Sequence, residues 1–145
     1  MSATWMVVAM TIVGGIAAAL QAQFAGVMNN RMGTLGSVVV IYGTGALAIG
    51  VLAAVTRDSG LTAWREVPPY TLAAGVLGLI VVGSVAFAVG RVGVVQALLT
   101  FTVSQFVFSA LIDHFGWFGA EVRLFDLSRV MGIGLLFAGA WLVLR

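Results

Sequence analysis

Long uncharged apolar runs dominate the chain. Five of them lie between charges and turn clusters, at about 5–28, 35–55, 70–90, 94–112 and 127–144. A bilayer core about 30 Å thick needs about 20 apolar helical residues to cross it. The expectation is an all-α integral membrane protein: five transmembrane helices in a single transmembrane domain over 1–145, with no linker long enough for a second domain. Composition agrees. Apolar residues make up 61% of the 145 and charged residues 8%, against about 45–50% and about 25% in soluble domains. Mean hydropathy is +1.14.

The run ends carry physical markers. Asn29-Asn30-Arg31 is expected to close the first span, and Thr56-Arg57-Asp58-Ser59-Gly60 the second. Pro68-Pro69 precedes the third, where proline suits a first helical turn. Gly90-Arg91-Val92-Gly93 predicts a tight turn, and 113–126 is a polar stretch. Trp5, Trp64, Trp117 and Trp141 fall near span ends, as an interfacial aromatic belt requires. The first run is too long for a cleaved leader, and no basic residue precedes it.

Several function classes are excluded. There is no cysteine, so no disulfide scaffold. The sequence pI of 9.9 hides a net charge of only +2. The seven basic residues are arginines scattered singly, which argues against nucleic acid. No HExxH, G-x-S-x-G, P-loop or CxxC is present. One histidine without cysteine cannot build a metal cluster. No catalytic residue, metal or cofactor is expected.

Arginines report orientation through the positive-inside rule. With five spans, Arg57, Arg65, Arg123 and Arg129 share one face, and Arg31, Arg91 and Arg145 the other. Four against three is almost no bias, so the chain is expected to insert both ways up. Two inverted copies would then pair as an antiparallel homodimer. An odd span count makes one chain a single inverted repeat of a ten-helix transporter, with the site at the repeat interface. The alternative is a fixed orientation: a non-transporting or half-transporter subunit beside an oppositely oriented, homologous five-helix chain.

Polar residues inside the spans need a reason to be there. Ala22/Gly26, Ala46/Gly50, Ala86/Gly90 and Gly134/Ala138 are small-xxx-small pairs that suit close helix packing. On the fourth span, Gln96, Thr100 and Ser104 share one sector at about 100° per residue. Thr102, Gln105, Ser109 and Asp113 share a roughly opposite one, with Phe101 and Phe108 between. Such a helix lines a cavity or a dimer seam. Its polar groups serve either a substrate pathway or interhelical hydrogen bonds. On the first span Gln21 and Gln23 point about 200° apart, so at most one faces a cavity. Gln23 shares a face with Ala19, Gly26 and Asn30, which suits packing. Tyr42 and Ser84 are secondary pathway candidates, and Tyr42 could offer a ring face to a cation.

No carboxylate lies mid-span. Proton-coupled exchange of cations usually needs one, so a neutral, zwitterionic or weakly charged small solute fits better. Asp113 and His114 at the end of the fourth span have two readings. They form a proton-linked gate, since histidine titrates near neutrality. Or they form a helix-end turn, with Asp113 paired to Arg129 or Arg123 and His114 placed where a helix C-terminus favours positive charge.

The stretch SQFVFSALIDHFGWFGAEVR at 104–123, followed by LSRVMGIGLLFAGAWLVLR at 127–145, resembles the short five-helix YdcZ-like family of the drug/metabolite transporter superfamily. LQAQFAGVMNNRMGTLGSVVVIYGTGALA at 20–48 and WREVPPYTLAAGVLGLIVVGS at 64–84 are similar to it as well. IDHFGWFGA is the most specific part. The resemblance implies a multi-pass transporter-type protein of the bacterial inner membrane. It implies dual-topology homodimers, paired heterodimers or fused ten-helix chains, with substrates mostly unassigned. Relatives often carry proline where this chain has Gly90 and Leu124.

Overall fold

A computed structural model describes residues 2–56, 65–123 and 126–145. Helix α1 spans Ser2–Thr56, α2 Ala74–Val92, α3 Val94–Phe115 and α4 Leu127–Leu144. Short 3-10 turns occupy Pro69–Ala73 and Trp117–Gly119. Among the described residues these four helices are long and apolar enough to cross a membrane. Arg57, Trp64 and the expected 57–60 turn lie outside the described residues.

The first helix has 55 residues, about 80 Å at about 1.5 Å per residue. That is more than twice the hydrocarbon thickness of about 30 Å. It is broken at one residue, Gly33 (φ 77, ψ 170). This backbone region is essentially open to glycine alone. Asn29-Asn30-Arg31 therefore does not end the segment, as the sequence suggested; the helix runs through it to Gly33. One glycine ends the first half and begins the second, so the break is a single residue. One side-chain bond crosses it, the Thr34 hydroxyl donating to Asn29 Oδ1 at 2.8 Å, and just after it the Ser37 hydroxyl donates to the Thr34 carbonyl at 2.8 Å. Ser37 is fully buried. Gly93 (φ 84, ψ 166) repeats the device between α2 and α3, where a four-residue turn was expected.

Two compact units result, residues 1–91 and 92–145. In the first, Ala22, Ala25 and Gly26 of α1 are buried, as are Ala86 and Val89 of α2. The Gly26 backbone lies directly against the Val89 side chain. A Cβ at Gly90 would sit 2.6 Å from Asn30 Oδ1 and 2.8 Å from Asn29 Nδ2. Beyond the break, Thr34 and Val38 approach Gly83, and the Tyr42 hydroxyl covers Gly78. Glycine lets the backbones come this close. So Ala22/Gly26 and Ala86/Gly90 are packing pairs. Gly50 and Gly134, of Ala46/Gly50 and Gly134/Ala138, make no such contact within the chain: a Cβ on either meets nothing within 4 Å.

In the second unit Asp126 caps α4. It accepts from the Arg129 backbone N–H at 2.8 Å and the Ser128 hydroxyl at 3.0 Å. The Arg129 N–H, and then the Ser128 hydroxyl, hold its carboxyl below the ordinary value. A lowered folded pKa means the cap's contribution is present above the ordinary carboxyl range and lost as pH falls through the folded value. Asp126→Ala should therefore speed amide exchange at 127–130 relative to α2. The parent should show the same relative change on acidification, read by hydrogen-exchange mass spectrometry.

Candidate functional site

The first unit carries two clefts, and both are lined by Gln21. One, of about 450 Å³, includes Phe24 and Met28 from before the Gly33 break and Ile41 and Thr44 from after it. The two halves of α1 therefore run side by side here. The second, of about 420 Å³, adds Tyr42, Gly45 and Val82. Gln23 is exposed. The buried stripe at Ala22, Ala25 and Gly26 is not the 19–23–26–30 face suggested by the sequence, and Gln21 is the glutamine that reaches these clefts. Tyr42 is half-buried.

The second unit carries two clefts between α3 and α4. One, of about 590 Å³, is lined by Thr100, Ser104, Phe108, Phe137 and Trp141 among others. Its hydroxyls are turned inward on their own helix. Thr100 donates to the Gln96 carbonyl at 2.9 Å, and Ser104 to the Phe101 carbonyl at 2.8 Å. Ser84 on α2 does the same with the Val81 carbonyl at 2.9 Å. Such back-bonding satisfies a hydroxyl without a partner helix or a solute. The polar sector of Gln96, Thr100 and Ser104 thus presents a largely apolar wall. Gln96 and Phe101 are half-buried, and Gln105 is exposed.

The other cleft, of about 390 Å³, has a different character. It is lined by Phe106, Ser109, Asp113, Arg129, Ile133 and Leu136 among others. Arg129 Nη1 lies 3.7 Å from Asp113 Oδ2. The Arg123 backbone N–H donates to the Asp113 carbonyl at 2.8 Å, which folds the chain after α3 back onto its last turn. The Arg123 guanidinium turns outward to Glu121 at 3.3 Å. His114 is half-buried in the last turn of α3, edge-on to Phe115 with ring centroids 4.9 Å apart.

Sequence reasoning singled out Asp113 but missed the α4 face opposite. Residues 129, 132, 133, 136 and 140 recur at helical spacing, and that pattern could have revealed it. Trp5, Trp117 and Trp141 are exposed, as interfacial rings would be. Trp117 stacks on Phe115 with centroids 5.2 Å apart, and the Arg145 guanidinium lies 4.9 Å from the Trp141 ring centre.

A family model described as "Putative inner membrane exporter, YdcZ" matches residues 6–142. No curated protein and no solved structure matches the chain.

Proposed function

The chain belongs to the YdcZ family of inner membrane exporters, and on that premise we propose that it moves a small solute by alternating access as an antiparallel homodimer. It is a multi-pass protein of the inner membrane, and its family is one of transporters rather than enzymes. The observation that carries the reading is the break at Gly33. It divides α1 into two segments, each longer than the ~20 residues a crossing requires. Together with α2, α3 and α4 they make five crossings. An odd number lets a second copy of the chain supply the inverted half of the transporter.

Two further features support this. The arginines divide four to three between the faces, too little to fix orientation. Large apolar side chains such as Leu35, Leu47, Ile80 and Leu127 are exposed along the helices, where lipid or a second copy would cover them. Gln21 and Tyr42 in the first unit, and Ser109, Asp113 and Arg129 in the second, are the residues proposed to meet the solute.

Orientation tests the reading, and the cysteine-free sequence gives a clean background. Single cysteines at Thr4 and within 57–65 should each label in intact cells to about half the level reached after permeabilisation. Complete labelling or complete protection at each site would overturn the homodimer. It would favour a half-transporter that pairs with an oppositely oriented chain.

A further inference from the structure

Taking the transporter reading as its basis, we infer that the cleft holding Asp113 and Arg129 is a binding site for small zwitterions. The class meant is α-amino acids with apolar side chains. The two charged groups are 3.7 Å apart, longer than the ~2.7–2.9 Å of a closed charge-assisted hydrogen bond. Their side chains keep 42% and 34% of their surface accessible, on the wall of a cleft of about 390 Å³. That volume is at the small end of ligand sites.

The pair joins the last turn of α3 to the first turn of α4. Asp113 is in the last turn of α3, where the helix dipole disfavours an anion. Arg129 is in the first turn of α4, where it disfavours a cation. Each charge opposes its own helix end and is favoured by the other's, so both must stay in place.

The charge balance selects the ligand. An anion drawn to Arg129 alone would take it from Asp113, and a cation drawn to Asp113 would leave Arg129 with the Arg123 carbonyl, 3.4 Å from its Nη1. Either exchange gives up one ion pair for another and gains nothing net. A zwitterion replaces one ion pair by two, its carboxylate on Arg129 and its ammonium on Asp113, with no net change in charge. Ser109 also lines the cleft, and among the described residues its hydroxyl makes no back-bond of the kind that occupies Thr100 and Ser104. Ile133 and Leu136 supply an apolar floor for a side chain. Gly132 leaves room there: a Cβ added to it meets nothing within 4 Å.

The test is equilibrium binding to the full chain in lipid nanodiscs, with leucine, leucinamide and N-acetyl-leucine as probes. Leucine should bind, and the two singly charged analogues should bind at least ~10-fold more weakly. Asp113→Asn, Arg129→Gln and the cleft-filling Gly132→Leu should each weaken leucine at least ~10-fold. The analogue series on the unaltered protein decides the matter even if a variant fails to fold. Equal binding of the three probes, no binding of leucine at millimolar concentration, or wild-type affinity in folded Asp113→Asn and Arg129→Gln would each overturn the site. Leucine binding without movement of any solute across proteoliposomes would instead sink the export reading and leave the site standing. Movement of another solute without leucine binding would do the reverse.

Discussion

Gly26→Leu should cost the first unit about 1–3 kcal/mol, toward the upper end of the usual range for overpacking. The Gly26 backbone abuts the Val89 side chain, and a new Cβ would lie 2.9 Å from Val89 Cβ and 3.4 Å from the Gly90 nitrogen. A side chain tip could move aside; the α2 backbone behind it cannot without separating the helices. Gly26→Ala should already destabilise, because the overlap begins at Cβ. Val89→Ala should recover part of the loss in the double variant, since it removes the nearer obstacle and leaves the backbone. Thermal unfolding in detergent, followed by helical signal, reads this order. Identical melting of Gly26→Leu and parent would show that α1 and α2 do not make this contact.

Gly33→Val should unlatch the two halves of α1 by a different mechanism. Nothing lies within 4 Å of a Cβ at this position, so crowding plays no part. The cost is torsional, about 1–3 kcal/mol for a side-chain-bearing residue held in this region. A valine there can relieve it by letting the break become helical, which gives one rod of about 80 Å and no return across the bilayer. Alanine should suffer nearly as much as valine, whereas at Gly26 size grades the effect. A short bifunctional thiol reagent should link cysteines placed at Gln21 and Thr44, which line one cleft. It should fail to do so in Gly33→Val.

Much of the fold was legible because lipid imposes one rule on every span. The run at 127–144 became α4 with the same limits, and 94–112 became α3 with three further residues to Phe115. The third span gave up its first residues to a 3-10 turn at Pro69–Ala73, where proline had marked a helix start. The break in α1 was legible as an interval, 29–34 between two runs, but not as the residue Gly33. Four glycines of the described chain adopt positive φ, and nothing in composition separates Gly33 from the glycines that stay helical. The polar Asn29-Asn30-Arg31 looked like the natural exit, but all three keep helical backbone up to Gly33.

The site was legible in part. Asp113 stood out because carboxylates are rare in this sequence, and its pairing with Arg129 was one of two partners it could reach. The choice between Gln21 and Gln23 depended on whether Ala22 or Ala19 lay in the packed stripe, and both are alanines. The hydroxyls of Thr100 and Ser104 were read as serving a neighbouring helix or a solute, yet each bonds its own helix. A helical carbonyl one turn back is always within reach of such a side chain, so sequence offers no sign of the choice.

The single-residue breaks at Gly33 and Gly93 also limit how chains of this design can diverge. A connection of one glycine has no slack. An added residue at Gly33 would carry the second half of α1 off the face that meets Gly78 and Gly83 of α2. Gains and losses of length should therefore be excluded from both breaks, and so should peptide tags. Arg31 and Arg91 each stand two residues before their glycine. The charge beside both breaks is thus carried by the last turns of helices, and altering it by engineering means changing helical residues rather than grafting a charged loop.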